Sequence, residues 1–173
     1  MKEIVLIIGG CRSGKSRYAL EMAGRFGERK KIFIATCVPR DAEMRERVRR
    51  HQAERDQSWT AIEAAIDLPA AVSDNSCKGY LLIVDCLTLW IANLLLETED
   101  FQDIEEHVRR LIRSLESAQC PVLLVTNEVG TGIVPENRLA RQFRDTAGLV
   151  NQKVASGSDR VVWMVAGIPV AIK

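Results

Sequence analysis

The sequence has no excess of either charge. Its 24 Lys and Arg face 23 Asp and Glu, for a formal net charge of +1. That balance argues against a broad electrostatic surface for nucleic acid, so no nucleic-acid partner is expected. Long hydrophobic runs are missing too. A membrane span needs ~20 consecutive apolar residues, whereas the first apolar stretch, Ile4 to Ile8, gives way at once to a polar Gly-rich segment. Neither stable membrane insertion nor a signal peptide is expected. Cys11, Cys37, Cys77, Cys86 and Cys120 are odd in number and contain no C-x-x-C pair. That speaks against a disulfide framework or a zinc site and points to a reducing, cytoplasmic setting. No internal repeat, low-complexity segment or interdomain linker interrupts the chain. Asp74-Asn75-Ser76 is read as a loop, and residues 1–173 as one domain.

What is present is an ordinary globular mixture, 47% hydrophobic and 27% charged, in which apolar runs alternate with helical patterns. Ile4–Ile8, Ile32–Ala35, Leu81–Val84 and Val122–Val125 are short, continuous and rich in β-branched residues, as buried strands are. Helical spacing predicts helices from about Lys15 to Phe26, from Asp41 to about Arg55, and over residues 87–97. Phe101, Ile104, Val108, Leu111, Ile112 and Leu115 form an apolar stripe on a further helix, and Leu139, Phe143, Ala147, Val150 and Val154 mark the last. Val161–Val165 and Val170–Ile172 close the chain, with Gly167 and Pro169 marking a turn. This alternation predicts βαβ units, a mostly parallel sheet with helices on both faces, and one antiparallel edge strand.

The first strand runs into Gly9-Gly10-Cys11-Arg12-Ser13-Gly14-Lys15-Ser16, a match to G-x-x-x-x-G-K-[ST] with a strand before it and an amphipathic helix after it. Glycines allow the backbone turns that aim N–H groups at phosphate oxygens, and the helix N-terminus adds partial positive charge. Lys15 is expected to reach the β- and γ-phosphates, and Ser16 to hold Mg²⁺. The fold class is therefore an α/β three-layer sandwich of the P-loop NTPase type. The loop alone does not name a reaction, because kinases, GTPases, ATPases and transferases share it.

Three further groups stand out. Asp85 ends the strand Leu81–Val84, at the edge where the phosphate loop lies. It can hold Mg²⁺ through water, polarise an attacking hydroxyl, or simply cap the next helix. His51 sits among six Arg and five acids between residues 40 and 56. On a helix Glu43, Arg47, His51 and Arg55 would stack, and flanking cations would favour the neutral, nucleophilic imidazole. The alternative is a solvated charged helix on which one histidine is incidental. Thr126, Asn127 and Glu128 follow the next strand. Gly130 and Gly132 come after them, then Pro135, which suits a helix start, and Arg138, Arg141 and Arg144 at every third position. An ordinary strand-to-helix loop with a solvated arginine face would look the same. His107 lies beside a core stripe and is given no role.

Those residues together carry a resemblance. GGCRSGKS, DAEMRERVRRHQAERDQSW, LLIVDCLT and VTNEVGTGIVPENRLARQFRDTAGLVNQKVA are similar to the bifunctional adenosylcobinamide kinase / adenosylcobinamide-phosphate guanylyltransferase family of cobalamin biosynthesis. The last run is the most specific, because generic phosphate-loop kinases do not carry it.

The resemblance implies two steps. Adenosylcobinamide is phosphorylated with ATP or GTP. GMP then passes from GTP to adenosylcobinamide phosphate through a covalent guanylyl-histidine, giving adenosyl-GDP-cobinamide and pyrophosphate. By position it implies that His51, Lys15 and Asp85 are catalytic. It places nucleotide contacts on Gly9, Gly10, Cys11, Arg12, Ser13, Gly14, Lys15 and Ser16, and on Ala35, Thr36 and Cys37. Further contacts fall on Gln52, Ala53, Glu54, Arg55, Glu63 and Asp85, with Mg²⁺ at Ser16 and Asp85. It also implies a homotrimer with sites near subunit boundaries. A plain small-molecule kinase, and a nucleotide-gated regulatory module without turnover, are the rival readings.

Overall fold

A computed structural model describes residues 2–53, 56–98 and 101–173, apart from the side chains of Arg47, His51 and Phe101. Among these described residues seven strands form one sheet in the order β3-β2-β4-β5-β1-β6-β7. They are β1 (Ile4–Gly9), β2 (Lys30–Ala35), β3 (Trp59–Glu63), β4 (Tyr80–Asp85), β5 (Val122–Asn127), β6 (Arg160–Val165) and β7 (Ile168–Ala171). β1 to β6 pair in parallel, and β7 runs antiparallel to β6. Among the described residues the six α-helices are α1 (Lys15–Ala23), α2 (Ala42–Ala53), α3 (Leu68–Asn75), α4 (Leu87–Glu97), α5 (Phe101–Ser117) and α6 (Arg138–Gly157).

Strand alternation divides the core into two layers. Ile4, Leu6, Ile32, Ile34, Leu82, Val84, Val122 and Leu124 face one side, where α3, α4, α5 and α6 cover them. Val5, Ile7, Phe33, Leu81, Ile83, Leu123 and Val125 face the other, packed against Tyr18, Ala19, Met22 and Ala23 of α1. On α5 the expected stripe is buried at Ile104, Val108, Leu111 and Leu115, with Ile112 packed at its margin.

Several boundaries differ from the sequence reading. β3 and α3 were not expected. β3 is an edge strand with Thr60, Ala61 and Glu63 exposed, so it has no apolar run. α3 is a short helix with Pro in its first turn and Asp67 as its N-cap, and it absorbs Asp74 and Asn75, read as loop. The first helix stops at Ala23 and tightens into a 3₁₀ turn over Gly24–Phe26, before Gly27 at φ +73°. Pro135 does not start α6. Asn137 does, with its side chain accepting from the Ala140 N–H at 3.0 Å. Pro169 lies inside β7 opposite Met164, and Ala166 and Gly167 form the turn. An edge strand tolerates proline there.

Parallel registry sets the carboxyl ends of the strands along one edge. Gly9 aligns with Asn127 and Met164, Ala35 with Glu63 and Asp85, and Asp85 with Val125. In open α/β sheets this edge is where ligands bind.

Candidate active site

The phosphate loop leaves β1 at Gly9 and enters α1 at Lys15. Gly14 caps the helix in the left-handed region at φ +91°, a conformation glycine adopts without a Cβ penalty. Ser13 donates its N–H to the Gly10 carbonyl at 3.3 Å, closing the turn. The Lys15 ammonium donates to the same carbonyl at 2.6 Å and to Ser13 Oγ at 3.4 Å. A lysine buried to 7% exposure and folded back over its own loop sits where a polyphosphate would be gripped. Ser16 follows it, half-buried in the first turn.

Two neighbours hold this loop. The Glu128 N–H donates to the Gly9 carbonyl at 3.0 Å, joining the end of β5 to the loop. The Gly167 N–H donates to the Ser13 carbonyl at 3.1 Å, so the β6–β7 hairpin braces the loop from the other side. The sequence reading used Gly167 only as a turn marker.

Asp85 ends β4 on the same edge. It does not cap α4: the N-cap is Cys86, and no side chain completes that cap. Oδ2 of Asp85 is buried and has no hydrogen-bond partner among the described residues. A buried carboxylate oxygen left without a donor is costly, and a hydrated cation is a fitting partner for it. Asp85 therefore fits a hydrated Mg²⁺, and Ser16, by its place in the phosphate loop, is the second donor expected. The Cys86 thiol beside it is pushed up to about 12, chiefly by burial, with the charge of Asp85 adding to the effect. It stays protonated and is no nucleophile.

Behind the edge lies a buried polar network that sequence reasoning missed. The Asn127 N–H donates to Thr88 Oγ1 at 2.7 Å. Thr126 Oγ1 donates to Asn151 Oδ1 at 2.8 Å, and Asn151 Nδ2 donates to the Asn127 carbonyl at 3.2 Å. These bonds tie β5 to α4 and α6 where the polar strand end begins.

The remaining expected residues are placed as follows. Ala35 and Cys37 flank the end of β2, both half-buried, and Glu63 is exposed at the end of β3. Thr36 between them is 0% exposed. The resemblance assigns it to the nucleotide; here its polar atoms are engaged inside the fold. His51 lies in α2, whose N-terminus is capped by Asp41 accepting from the Met44 N–H at 2.7 Å. Its side chain, and the expected stack through Arg47 and Arg55, lie outside the described residues, as do Glu54 and Arg55 entirely. Gln52 and Ala53 are exposed in the last turn. Glu46 pairs with Arg49 and Arg50 on this helix. None of the described side chains of α2 is buried. Arg141 is turned back onto the carbonyls of Pro135 at 3.0 Å and Glu136 at 2.5 Å.

A family model described as cobinamide kinase / cobinamide phosphate guanyltransferase matches residues 5–172. The chain belongs to this family. It is 39% identical over 168 residues to the bifunctional adenosylcobalamin biosynthesis protein CobP of Pseudomonas aeruginosa, covering 97% of this chain and 96% of that one. It is 38% identical over 182 residues to the bifunctional adenosylcobalamin biosynthesis protein CobU of Escherichia coli, covering 98% and 99%. Among solved structures it resembles the RadB recombinase with a TM-score of 0.54 at 15% identity, covering 93% of this chain and 73% of that one. That likeness shows the fold alone, a P-loop NTPase fold. Among the described residues no helix is long and apolar enough to cross a membrane.

Proposed function

We propose that this protein phosphorylates the hydroxyl of adenosylcobinamide with ATP or GTP and then transfers GMP from GTP to the new phosphate, releasing pyrophosphate and giving adenosyl-GDP-cobinamide. The observation that carries this reading is the family match, which runs from residue 5 to residue 172. The phosphate loop and the strand ends beside it fit the kinase step. Lys15 would offset charge on the transferring phosphoryl group, and the N-terminal amides of α1 would receive phosphate oxygens. Ser16 and Asp85 would hold Mg²⁺, which when bound supplies positive charge at the β- and γ-phosphates. The orphaned Oδ2 of Asp85 supports that assignment. Ala35, Cys37, Gln52 to Arg55 and Glu63 are the further nucleotide contacts we assign.

For the second step we assign His51 as nucleophile. Its neutral imidazole attacks the α-phosphorus of GTP, the bond to the β-phosphate oxygen breaks, and pyrophosphate leaves. A phosphate oxygen of adenosylcobinamide phosphate then displaces the imidazole. We further propose a cytoplasmic homotrimer. The odd number of cysteines, with no C-x-x-C pair, supports a reducing compartment. The helix carrying His51 has exposed faces available to a neighbouring subunit.

The test is incubation with Mg²⁺ and GTP labelled at the α-phosphate, followed by denaturation. Acid-labile, base-stable label that disappears in His51→Ala supports the covalent route. A folded, GTP-binding protein that retains no label would leave a kinase or a binding module, and His51 would lose its role.

A further inference from the structure

We propose that Thr36 is a positioning residue that fixes the turn bearing Asp85, and that it does not contact the nucleotide. The inference rests on the reading that Asp85 holds Mg²⁺. Four bonds at Thr36 carry it. The Thr36 N–H donates to the Asp85 carbonyl at 3.2 Å. The Cys86 N–H donates to Thr36 Oγ1 at 2.9 Å, and that hydroxyl donates onward to the Cys86 carbonyl at 2.7 Å. The Thr36 carbonyl in turn accepts from Asn93 Nδ2 at 2.8 Å, and Asn93 also reaches the Ala65 carbonyl at 3.0 Å.

One residue thus grips the carbonyl of Asp85 and both the amide and the carbonyl of the residue after it. Regular ladder pairing of β2 with β4 ends at Ala35 and Asp85. Beyond that point the chain turns into α4, and the Thr36 hydroxyl adds side-chain bonds to the backbone bonds Thr36 N–H to Asp85 carbonyl and Trp90 N–H to Cys86 carbonyl, both 3.2 Å. The Asp85 carboxylate hangs from this segment, with Oδ2 buried and unpartnered among the described residues. A metal-holding carboxylate works only when held within about 0.5 Å of its productive place. Thr36 supplies that restraint from β2, and Asn93 supplies it to Thr36 from α4. With N–H, hydroxyl and carbonyl all engaged and the residue 0% exposed, Thr36 has no polar group left for a nucleotide.

The experiment measures binding of a non-hydrolysable GTP analogue with and without Mg²⁺, in wild type, Thr36→Val, Thr36→Ser and Asp85→Asn. Thr36→Val keeps the shape and removes the hydroxyl. Binding without Mg²⁺ should equal wild type, while the tightening that Mg²⁺ brings should weaken by about 10–100-fold, the usual loss when an outer-shell partner of a metal ligand is removed. Thr36→Ser should restore it, and Asp85→Asn should lose it. Weaker Mg²⁺-free binding in Thr36→Val would mean that the hydroxyl touches the nucleotide, and an unchanged Mg²⁺ effect would mean that it is structural only. Either result overturns the proposal. If Thr36→Val fails to fold, Asn93→Ser reads the same chain of bonds one link further out, with the same two overturning results. An Mg²⁺ effect that survives in Asp85→Asn removes the underlying reading instead, and this inference falls with it.

Discussion

Gly9 lies so close to Met164 that a Cβ on it would stand 2.5 Å from the Met164 carbonyl oxygen. The same atom would meet Ser13 Oγ at 2.8 Å. The first glycine of the phosphate loop is thus dictated by the neighbouring strand β6 as well as by the ligand. Gly9→Ala forces backbone apart at the centre of the sheet edge. We expect a loss of about 1–3 kcal/mol in urea unfolding, as overpacking a dense core costs. Nucleotide affinity should fall too, because Ser13 and the loop behind it must shift.

Lys15→Ala removes the ammonium that spans the loop to the Gly10 carbonyl at 2.6 Å. Kinase turnover should drop by about 100-fold or more, the order seen when a preorganised transition-state contact is deleted. Steady-state phosphorylation of cobinamide at saturating ATP checks this. Unchanged turnover would take the phosphate loop out of the mechanism.

How much of this was legible in the sequence depended on burial. β1, β2, β4 and β5 announce themselves because both faces are covered, which leaves continuous apolar runs. β3 gives no such signal, since its outer residues stay in water. The phosphate loop was readable because its chemistry is local, with eight consecutive residues doing one job. The bonds that support Asp85 are not local: Asn93 stands 57 residues from Thr36. No spacing rule links them, and only the folded registry brings them together. Asp85 was legible as a strand-end acid, but its exclusion as a helix cap required the backbone, where Cys86 takes that position.

Trp90 is fully buried, and its indole Nε1 donates to the Ile66 carbonyl at 2.7 Å. Ile66 lies between Glu63 at the end of β3 and the start of α3. Trp90→Phe keeps most of the apolar body and leaves that carbonyl with the Leu68 N–H at 2.9 Å as its remaining donor. A loss of about 0.5–1.5 kcal/mol in stability is expected, the net worth of one hydrogen bond. Denaturant unfolding followed by the fluorescence of the remaining Trp59 and Trp163 measures it. A change within experimental scatter would show that the bond is replaceable by water.

The cysteines make the last prediction, because they sort by environment. Cys86 is pushed up to about 12 and Cys120 to about 11, in both cases chiefly by burial. Cys11 and Cys77 are exposed. At about pH 8, alkylation of the native protein should label Cys11 and Cys77 and spare Cys86 and Cys120, since only an accessible thiolate reacts. Of these two exposed thiols, nucleotide should slow labelling at Cys11 and not at Cys77, because Cys11 lies in the phosphate loop and Cys77 lies between α3 and β4 at the opposite edge. The same shifts bear on stability. Cys86 holds its proton in the folded state above the ordinary value of 9.0, while the unfolded chain releases it. The folded state then binds more protons, so this thiol's contribution is complete below pH 9 and is lost as the pH rises toward about 12. Peptide mapping of the alkylated protein gives the sites directly. Rapid native labelling of Cys86 would mean that the start of α4 opens in solution, and the bonds Thr36 makes to that turn could not then be holding Asp85 in place.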